Sequence, residues 1–220
     1  LRYNKMNYIH FESLPSTNDY VKEHLDQLTP PCIIHTDIQT KGRGRRDHQW
    51  ISENDLMFSY LTDKEAFHAS MQMALSILYT LHFYHLKATV KWPNDIFIND
   101  RKIAGILTET LNKYTIIGTG LNITNSLYLS LNHLLEYQIS SKDLLNKIMA
   151  YYTFLESLSL DDIIHTINKY SYLKNKKVIY LNYGITQFLH LNTDGTLTIL
   201  DEHQKIHHII LNQLSLSQKE

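Results

Sequence analysis

Residues 41–50, Lys-Gly-Arg-Gly-Arg-Arg-Asp-His-Gln-Trp, decide how the rest of the chain is read. Arg43, Arg45 and Arg46 are too charged to bury unpaired. Gly42 and Gly44 let the backbone approach a ligand closely. Together they describe a flexible cationic loop that can wrap a phosphate or carboxylate through forked hydrogen bonds. Read alone, the stretch is equally a solvated basic turn. Trp50 tips the balance, because an aromatic just after the basic residues can stack on a ring or cap it.

The charge of this loop is local. The chain of 220 residues carries a formal net charge of -1, which excludes a global basic field directed at nucleic acid or an anionic membrane. Its 43% hydrophobic and 20% charged content is that of an ordered globular protein, long enough for one good domain plus a small one. The single cysteine, Cys32, has no internal partner, which fits a reducing cytosol and predicts a cytoplasmic protein. Within Cys-Ile-Ile it reads as a buried strand residue rather than a nucleophile. No apolar run reaches the roughly 18 residues of a membrane span, and the first residues lack a signal-peptide core. Because the sequence begins with Leu1, residues 1–5 stay open between native and added sequence. The 13 histidines are scattered, with no His-Glu-x-x-His or Cys-x-x-Cys spacing, so no protein-built metal site is expected.

Strands and helices alternate along the chain. Ser16-Thr17-Asn18-Asp19 offers cap residues for a short helix. Strands are expected over 32–36, 56–61, 89–92 and 114–118. Phe67, Met71, Ala74, Leu78 and Leu81 recur at the spacing of an amphipathic helix. A hairpin is expected between 96–98 and 103–107, turning about Asn99-Asp100-Arg101-Lys102. Leu144, Ile148, Tyr152 and Leu155 line one later helix; Ile163, Ile164, Ile167 and Tyr170 line another. From 174 onward only short strands follow, over 177–181, 186–191, 196–200 and 206–211, with Asn192-Thr193-Asp194-Gly195 as a turn. These suggest a small β-barrel appended to a main domain, with the boundary at 171/172.

Three further groupings accompany the arginine loop. In Lys91-Trp92-Pro93-Asn94-Asp95, the proline ends a strand and leaves Asp95 at a strand–turn junction. There a carboxylate can accept a proton or hold an ammonium group; equally it is an ordinary turn aspartate. In residues 101–109, Lys102 heads an apolar strand interrupted by Gly105, which marks close approach of a ligand or another backbone, or else a simple bulge. Gly118-Thr119-Gly120-Leu121-Asn122 places two glycines at an expected strand end, where they could cradle a nucleotide.

Taken in order, Gly-Arg-Gly-Arg-Arg-x-x-x-Trp, Lys-Trp-Pro-Asn-Asp, Lys-x-x-Gly-Ile-Leu-x-Glu and Gly-x-Gly-x-Asn resemble the biotin protein ligases. Ser16-Thr17-Asn18 and Gln39 match that family's biotin-contacting segments. The resemblance is strong over roughly residues 8–125 and weaker through the C-terminal barrel. It implies an α+β fold: a mixed-sheet catalytic domain over 1–171 and a small SH3-like β domain over 172–220.

The resemblance also implies a two-step activity. Biotin and ATP form biotinyl-5'-AMP and pyrophosphate; the biotinyl group then passes to a lysine of the biotin carboxyl carrier domain of a carboxylase. Setting a carboxylate against a triphosphate demands neutralised charge and fixed alignment. By this analogy Arg43 and Lys102 lie near the biotin carboxylate and α-phosphate, and Arg45 and Arg46 bind phosphates. Mg2+ bridges phosphate oxygens rather than sitting in a protein cage. Ser16, Thr17, Asn18, Gln39 and Gly42 serve the biotin end, and Gly105, Ile106 and Leu107 its apolar wall. Asn122 faces the adenine, Trp50 packs on it, and Asp95 orients or deprotonates the incoming lysine. The mixed anhydride must be shielded from water, and ordering of the arginine loop is the natural device.

Departures from the family pattern matter too. Ser16-Thr17-Asn18 comes too early for the winged-helix domain that many members carry, so a ligase-only form without direct DNA binding is expected. Gln187 and His190 stand where family members tend to have glycines, which puts the barrel's part in ATP binding or carrier docking in question. Family ligases often pair through sheet edges, so a homodimer is allowed by the resemblance. The rival readings are a lipoate or octanoyl acyltransferase of the same fold and a biotin-sensing protein that no longer catalyses.

Overall fold

A computed structural model describes residues 7–44, 49–52, 54–180 and 183–210. A seven-stranded mixed sheet, ordered β1-β2-β3-β7-β6-β5-β4, forms its centre. β1 (Asn7–Leu14) runs parallel to β2 (Cys32–Gln39), and α1 (Thr17–Glu23) belongs to the crossover between them. The other neighbours, β3 (Leu56–Thr62), β7 (Tyr114–Leu121), β6 (Arg101–Leu111), β5 (Asp95–Ile98) and β4 (Ala88–Lys91), pair antiparallel. The expected strands are present. β1 is an addition that the sequence reading left out.

Alternation along the strands divides the sheet into two faces. Leu56, Phe58 and Tyr60 of β3 and Ile117 and Leu121 of β7 join the large core under α2 (Ala66–Phe83), α3 (Ser141–Leu155) and α4 (Leu160–Lys169). On the opposite face Leu61 and Ile116 pack with Val21 of α1 and Ile34. Both clusters lie out of water, where each buried large aliphatic side chain contributes about 1.5–3 kcal/mol.

The helix of residues 66–83 departs from its expected amphipathic form. Its buried set runs without a break from Ala69 to Leu78, including Ser70, Gln72 and Ser76. The helix is sandwiched between the sheet and the later helices, so no side of its middle turns meets water. The buried hydroxyls are satisfied locally: Ser76 donates to the Gln72 carbonyl at 2.6 Å and Thr80 to the Ser76 carbonyl at 2.8 Å. Glu65 caps the helix, accepting from the Phe67 and His68 amides at 2.9 and 2.8 Å.

The hairpin between β5 and β6 is tighter than the sequence suggests. Ile98 pairs with Arg101, so Asn99 and Asp100 alone make the turn, with φ of 49° and 61°. The register then slips by one residue: Ile96 pairs with Ala104, but Phe97 pairs with Lys102. Ile103 is the extra residue, and both Ile103 and Ala104 are fully buried. The slip brings Lys102 and Gly105 to the same side of the sheet, although they are three positions apart.

The C-terminal part is a four-stranded antiparallel sheet, ordered β11-β10-β9-β8. Its strands are β8 (Lys177–Tyr180), β9 (Gly184–Leu191), β10 (Leu197–Leu200) and β11 (Ile206–Ile209). Val178, Phe188, Leu197 and Ile199 extend the main core into it. Gln187 and His190 are on its exposed side. At the expected boundary, Val90 of β4 hydrogen-bonds to both Tyr170 and Tyr172. No helix among the described residues is long and apolar enough to cross a membrane.

Candidate active site

One pocket gathers most of the residues singled out above. It has about 470 Å³ of free space, part of it open to solvent, between the first turn of α1 and strands β2, β3, β6 and β7. Ser16, Thr17, Asn18 and Gln39 line one part, Arg43, Trp50 and Lys102 another, and Gly105, Ile106 and Leu107 a wall.

The polar part is held by a connected set of hydrogen bonds. Ser16 caps α1 by accepting from the Asp19 amide at 3.3 Å. Gln39 turns its amide oxygen toward Thr17, accepting from the backbone N–H at 2.7 Å and the hydroxyl at 3.1 Å. Ser59 of β3 lies 2.7 Å from the Thr17 hydroxyl and donates to Asn18 Oδ1 at 2.6 Å. Asn18 donates in turn to the Leu107 carbonyl at 3.2 Å and to Glu109 at 2.7 Å. Gly118 makes the approach possible, since a Cβ there would lie 2.9 Å from Asn18 Cγ.

Glu109 is the hub behind this wall. Lys22 donates to it at 2.6 Å, and Arg43 Nη2 lies 3.1 Å from its Oε2. Burial disfavours the charged carboxylate, but hydrogen bonds from Lys22, Asn18 and Arg43 outweigh it and hold Glu109 below the usual glutamate range. Arg43 also grips Asp19 with two prongs, at 3.1 Å through Nε and 2.5 Å through Nη2. Burial works against the guanidinium too, and its bonds to Glu109 and Asp19 reverse the balance and raise its pKa. Asp19, Lys22, Ser59 and Glu109 were not among the site residues expected from sequence; only the fold brings α1, β3 and β6 together.

The two glycines thought to cradle a nucleotide are within β7, not at its end. Gly120 stands opposite Gly105 of β6. What approaches them is the Trp50 indole: a Cβ at Gly105 would lie 2.8 Å from it, and one at Gly120 2.5 Å. Trp50 Nε1 is buried with no hydrogen-bond partner among the described residues, and Lys102 Nζ lies 5.1 Å from the centre of the ring. Lys102 also meets Asp95 Oδ1 at 2.6 Å, an ion pair rather than a well-directed hydrogen bond.

Three expected site residues do not line the pocket. Asp95 stands behind Lys102. Gly42 is at its edge, its carbonyl accepting from the Trp50 amide at 2.9 Å; a side chain there would strike the Trp50 carbonyl. Asn122 is likewise outside the lining. It is 4% exposed, and its amide donates to the Leu129 carbonyl at 3.0 Å, so it holds the loop after β7. Asp55 assists there, accepting from the Ile123 and Thr124 amides at 2.7 and 3.0 Å and from Asn125 at 3.0 Å. Arg45 and Arg46 lie outside the described residues. Gly44, Met57, Asn94 and the β7 residues Gly118, Thr119 and Gly120 complete the lining.

Known proteins resemble this chain in sequence and in fold. The sequence model of the biotin/lipoate A/B protein ligase family matches residues 10–122. The chain is 32% identical over 128 residues to biotin–protein ligase 1, chloroplastic, of Arabidopsis thaliana, covering 51% of this chain and 35% of that protein. It is also 32% identical over 123 residues to the bifunctional ligase/repressor BirA of Escherichia coli K12, covering 50% and 38%. The matched segments are thus well under half the length of these curated relatives. Among solved structures, the biotin protein ligase of Aquifex aeolicus in complex with biotin and ATP superposes with a TM-score of 0.85 at 23% identity. That match covers 97% of this chain and 99% of that one, and it shows the shared fold. The biotin acetyl coenzyme A carboxylase synthetase of Helicobacter pylori gives a TM-score of 0.72 at 22% identity, covering 93% and 100%.

Proposed function

The chain belongs to the biotin/lipoate A/B protein ligase family, and from that premise we propose that it is a biotin protein ligase. Biotin and ATP are its substrates, and a lysine of a biotin carboxyl carrier domain receives the product. The observation that carries this reading is the pocket itself. It combines hydroxyl and amide groups (Ser16, Thr17, Gln39), an apolar wall (Ile106, Leu107) and two cations (Arg43, Lys102). Biotin needs the same three things: partners for a neutral ureido edge, a slot for its rings and tail, and countercharge for its carboxylate.

In the first step a biotin carboxylate oxygen bonds to the α-phosphorus of ATP, and the bond to pyrophosphate breaks. Negative charge gathers between the two reactants, and the cations at the phosphate end stabilise it. Lys102 steadies the charge at the α-phosphate; its pairing with Asp95 supports a fixed ammonium. Arg43 lies between the carboxylate and the phosphate, and Arg45 and Arg46 take the remaining phosphates. Magnesium enters with the triphosphate, whose phosphate oxygens are its natural ligands.

In the second step the carrier's lysine amine attacks the acyl carbon of biotinyl-5'-AMP, and AMP leaves. The amine must lose a proton, and Asp95 is the group assigned to orient or deprotonate it. Adenine packs beside Trp50, whose buried Nε1 has a hydrogen bond to give. The main domain over 1–171 carries this chemistry, with 172–220 as the small accessory domain.

Incubation of the chain with biotin, ATP, Mg2+ and a biotin carboxyl carrier domain tests the proposal. We expect the carrier to gain one biotin, and to gain none when its acceptor lysine is replaced by arginine. A carrier left unlabelled, or labelled equally without ATP, contradicts the reading.

A further inference from the structure

Two histidines and an aspartate meet on β1 and β2, and none of them lines the pocket. His10 stands opposite His35 in the parallel register, and Asp37, two residues beyond His35, is on the same side of the strand. One donor atom from each lies within 4.8 Å of the other two. His10 Nε2 is 2.9 Å from Asp37 Oδ1, and the two imidazole centres are 5.0 Å apart.

His35 is the unusual member. It is 2% exposed, its Nδ1 is 2.8 Å from the Tyr8 hydroxyl, and its Nε2 is buried with no hydrogen-bond partner among the described residues. A simple His10–Asp37 ion pair leaves that nitrogen unexplained. A neutral imidazole has one N–H and one lone pair. In the tautomer that donates Nδ1–H to the Tyr8 hydroxyl, Nε2 keeps the lone pair, as in metal-bound histidines whose second nitrogen is held by an outer partner.

We propose that His10, His35 and Asp37 form a binding site for a divalent transition ion of the zinc class. Two imidazoles and one carboxylate suit such an ion rather than magnesium or calcium, which prefer all-oxygen shells. The side chains of His10 and Asp37 are 40% and 45% exposed, so both can rotate inward to bonds of about 2.0–2.2 Å around the fixed His35. A bound ion ties edge strand β1 to β2 directly upstream of Ser16 and Gln39, the residues at which the two strands reach the pocket. Sequence spacing gave no sign of the site, because its ligands come from two strands that are neighbours only in the fold.

The test is titration of the metal-stripped full chain with Zn2+ by calorimetry and with Co2+ by visible absorption. We expect one saturable equivalent, the d–d bands of an imidazole-ligated Co2+, and a higher melting temperature with Zn2+. His10→Ala, at an exposed position, and Asp37→Asn, at a half-buried one, should each weaken binding by more than about tenfold, the loss typical even of outer-partner changes. Their melting temperatures without metal, and their adenylating activity, should stay near those of the parent chain. Absence of saturable binding overturns the proposal. So does binding that both variants retain in full, which would assign the ion to other histidines.

Discussion

Gly105 of β6 stands opposite Gly120 of β7, and the Trp50 indole lies across the pair. The missing side chains set how deeply the ring can sink, and so the width of the slot between Trp50 and the strands. Carbon atoms pack at about 3.5–4.0 Å. A Cβ on Gly120, at 2.5 Å from the ring, cannot be accommodated unless Trp50 moves.

Gly120→Ala should therefore displace Trp50 rather than distort the strand, whose extended backbone accepts alanine. We expect a destabilisation of about 1–3 kcal/mol, as for other overpacked sites, and a change in tryptophan fluorescence. In a Trp50→Ala background the same substitution should cost much less, which a double-mutant cycle of chemical denaturation measures. An equal cost in both backgrounds would show that the ring is not what the glycine accommodates.

Glu109 supplies a pH signature. Its folded pKa lies below its unfolded value, so the ionised carboxylate favours the native state. That contribution is complete above an unfolded pKa of about 4.3 and is lost as pH falls through the folded value. Glu109→Gln should flatten the acid side of the stability profile, and it should weaken biotin binding by loosening Asn18 and Arg43. Denaturation midpoints between pH 3 and 7 check the first effect; parallel profiles for the two proteins would contradict it.

The two cations should separate in kinetics. Arg43→Ala should leave adenylate formation measurable while biotinyl-5'-AMP escapes into solution, because Arg43 is anchored at the pocket edge by Asp19 and Glu109. Lys102→Ala should slow adenylate formation itself by about 10²–10³, the usual loss for one electrostatic contact at a reacting centre. Rapid-quench measurement of bound and released adenylate distinguishes them. Full activity in both variants would remove the pocket from the account.

Asp55 is a structural counterpart to these groups. It is 1% exposed and accepts from two backbone amides and from Asn125. Asp55→Ala leaves buried donors unmatched, each costing about 1–3 kcal/mol. Denaturant unfolding should show a loss of that size or greater, with faster proteolysis of the loop after β7; wild-type stability would contradict this assignment.

Much of the pocket was legible because its motifs are local. Ser16-Thr17-Asn18 caps a helix, and Lys102 and Gly105 begin a strand, whatever the rest of the chain does. The supporting residues were not legible. Lys22 and Asn18 meet Glu109 across separations of 87 and 91 residues, and nothing in a helical lysine announces that partner. β1 escaped notice because an edge strand needs only one buried face, and Tyr8, His10 and Glu12 interrupt its apolar residues. The amphipathic reading of α2 failed because periodicity reports one apolar face and is silent on what covers the other. Asn122 stands outside the pocket lining, which the sequence did not reveal because a strand-end asparagine looks the same whether it faces a ligand or holds a loop.

The central claim is that this pocket activates biotin with ATP, and pyrophosphate exchange measures that step without any carrier. The purified chain is incubated with ATP, Mg2+ and labelled pyrophosphate, with biotin, lipoate or octanoate. Label should enter ATP with biotin and not with the other two acids. Exchange driven by lipoate or octanoate instead, or no exchange with any acid while biotin still binds, would contradict the account and point to an acyltransferase of the same fold or to a biotin sensor.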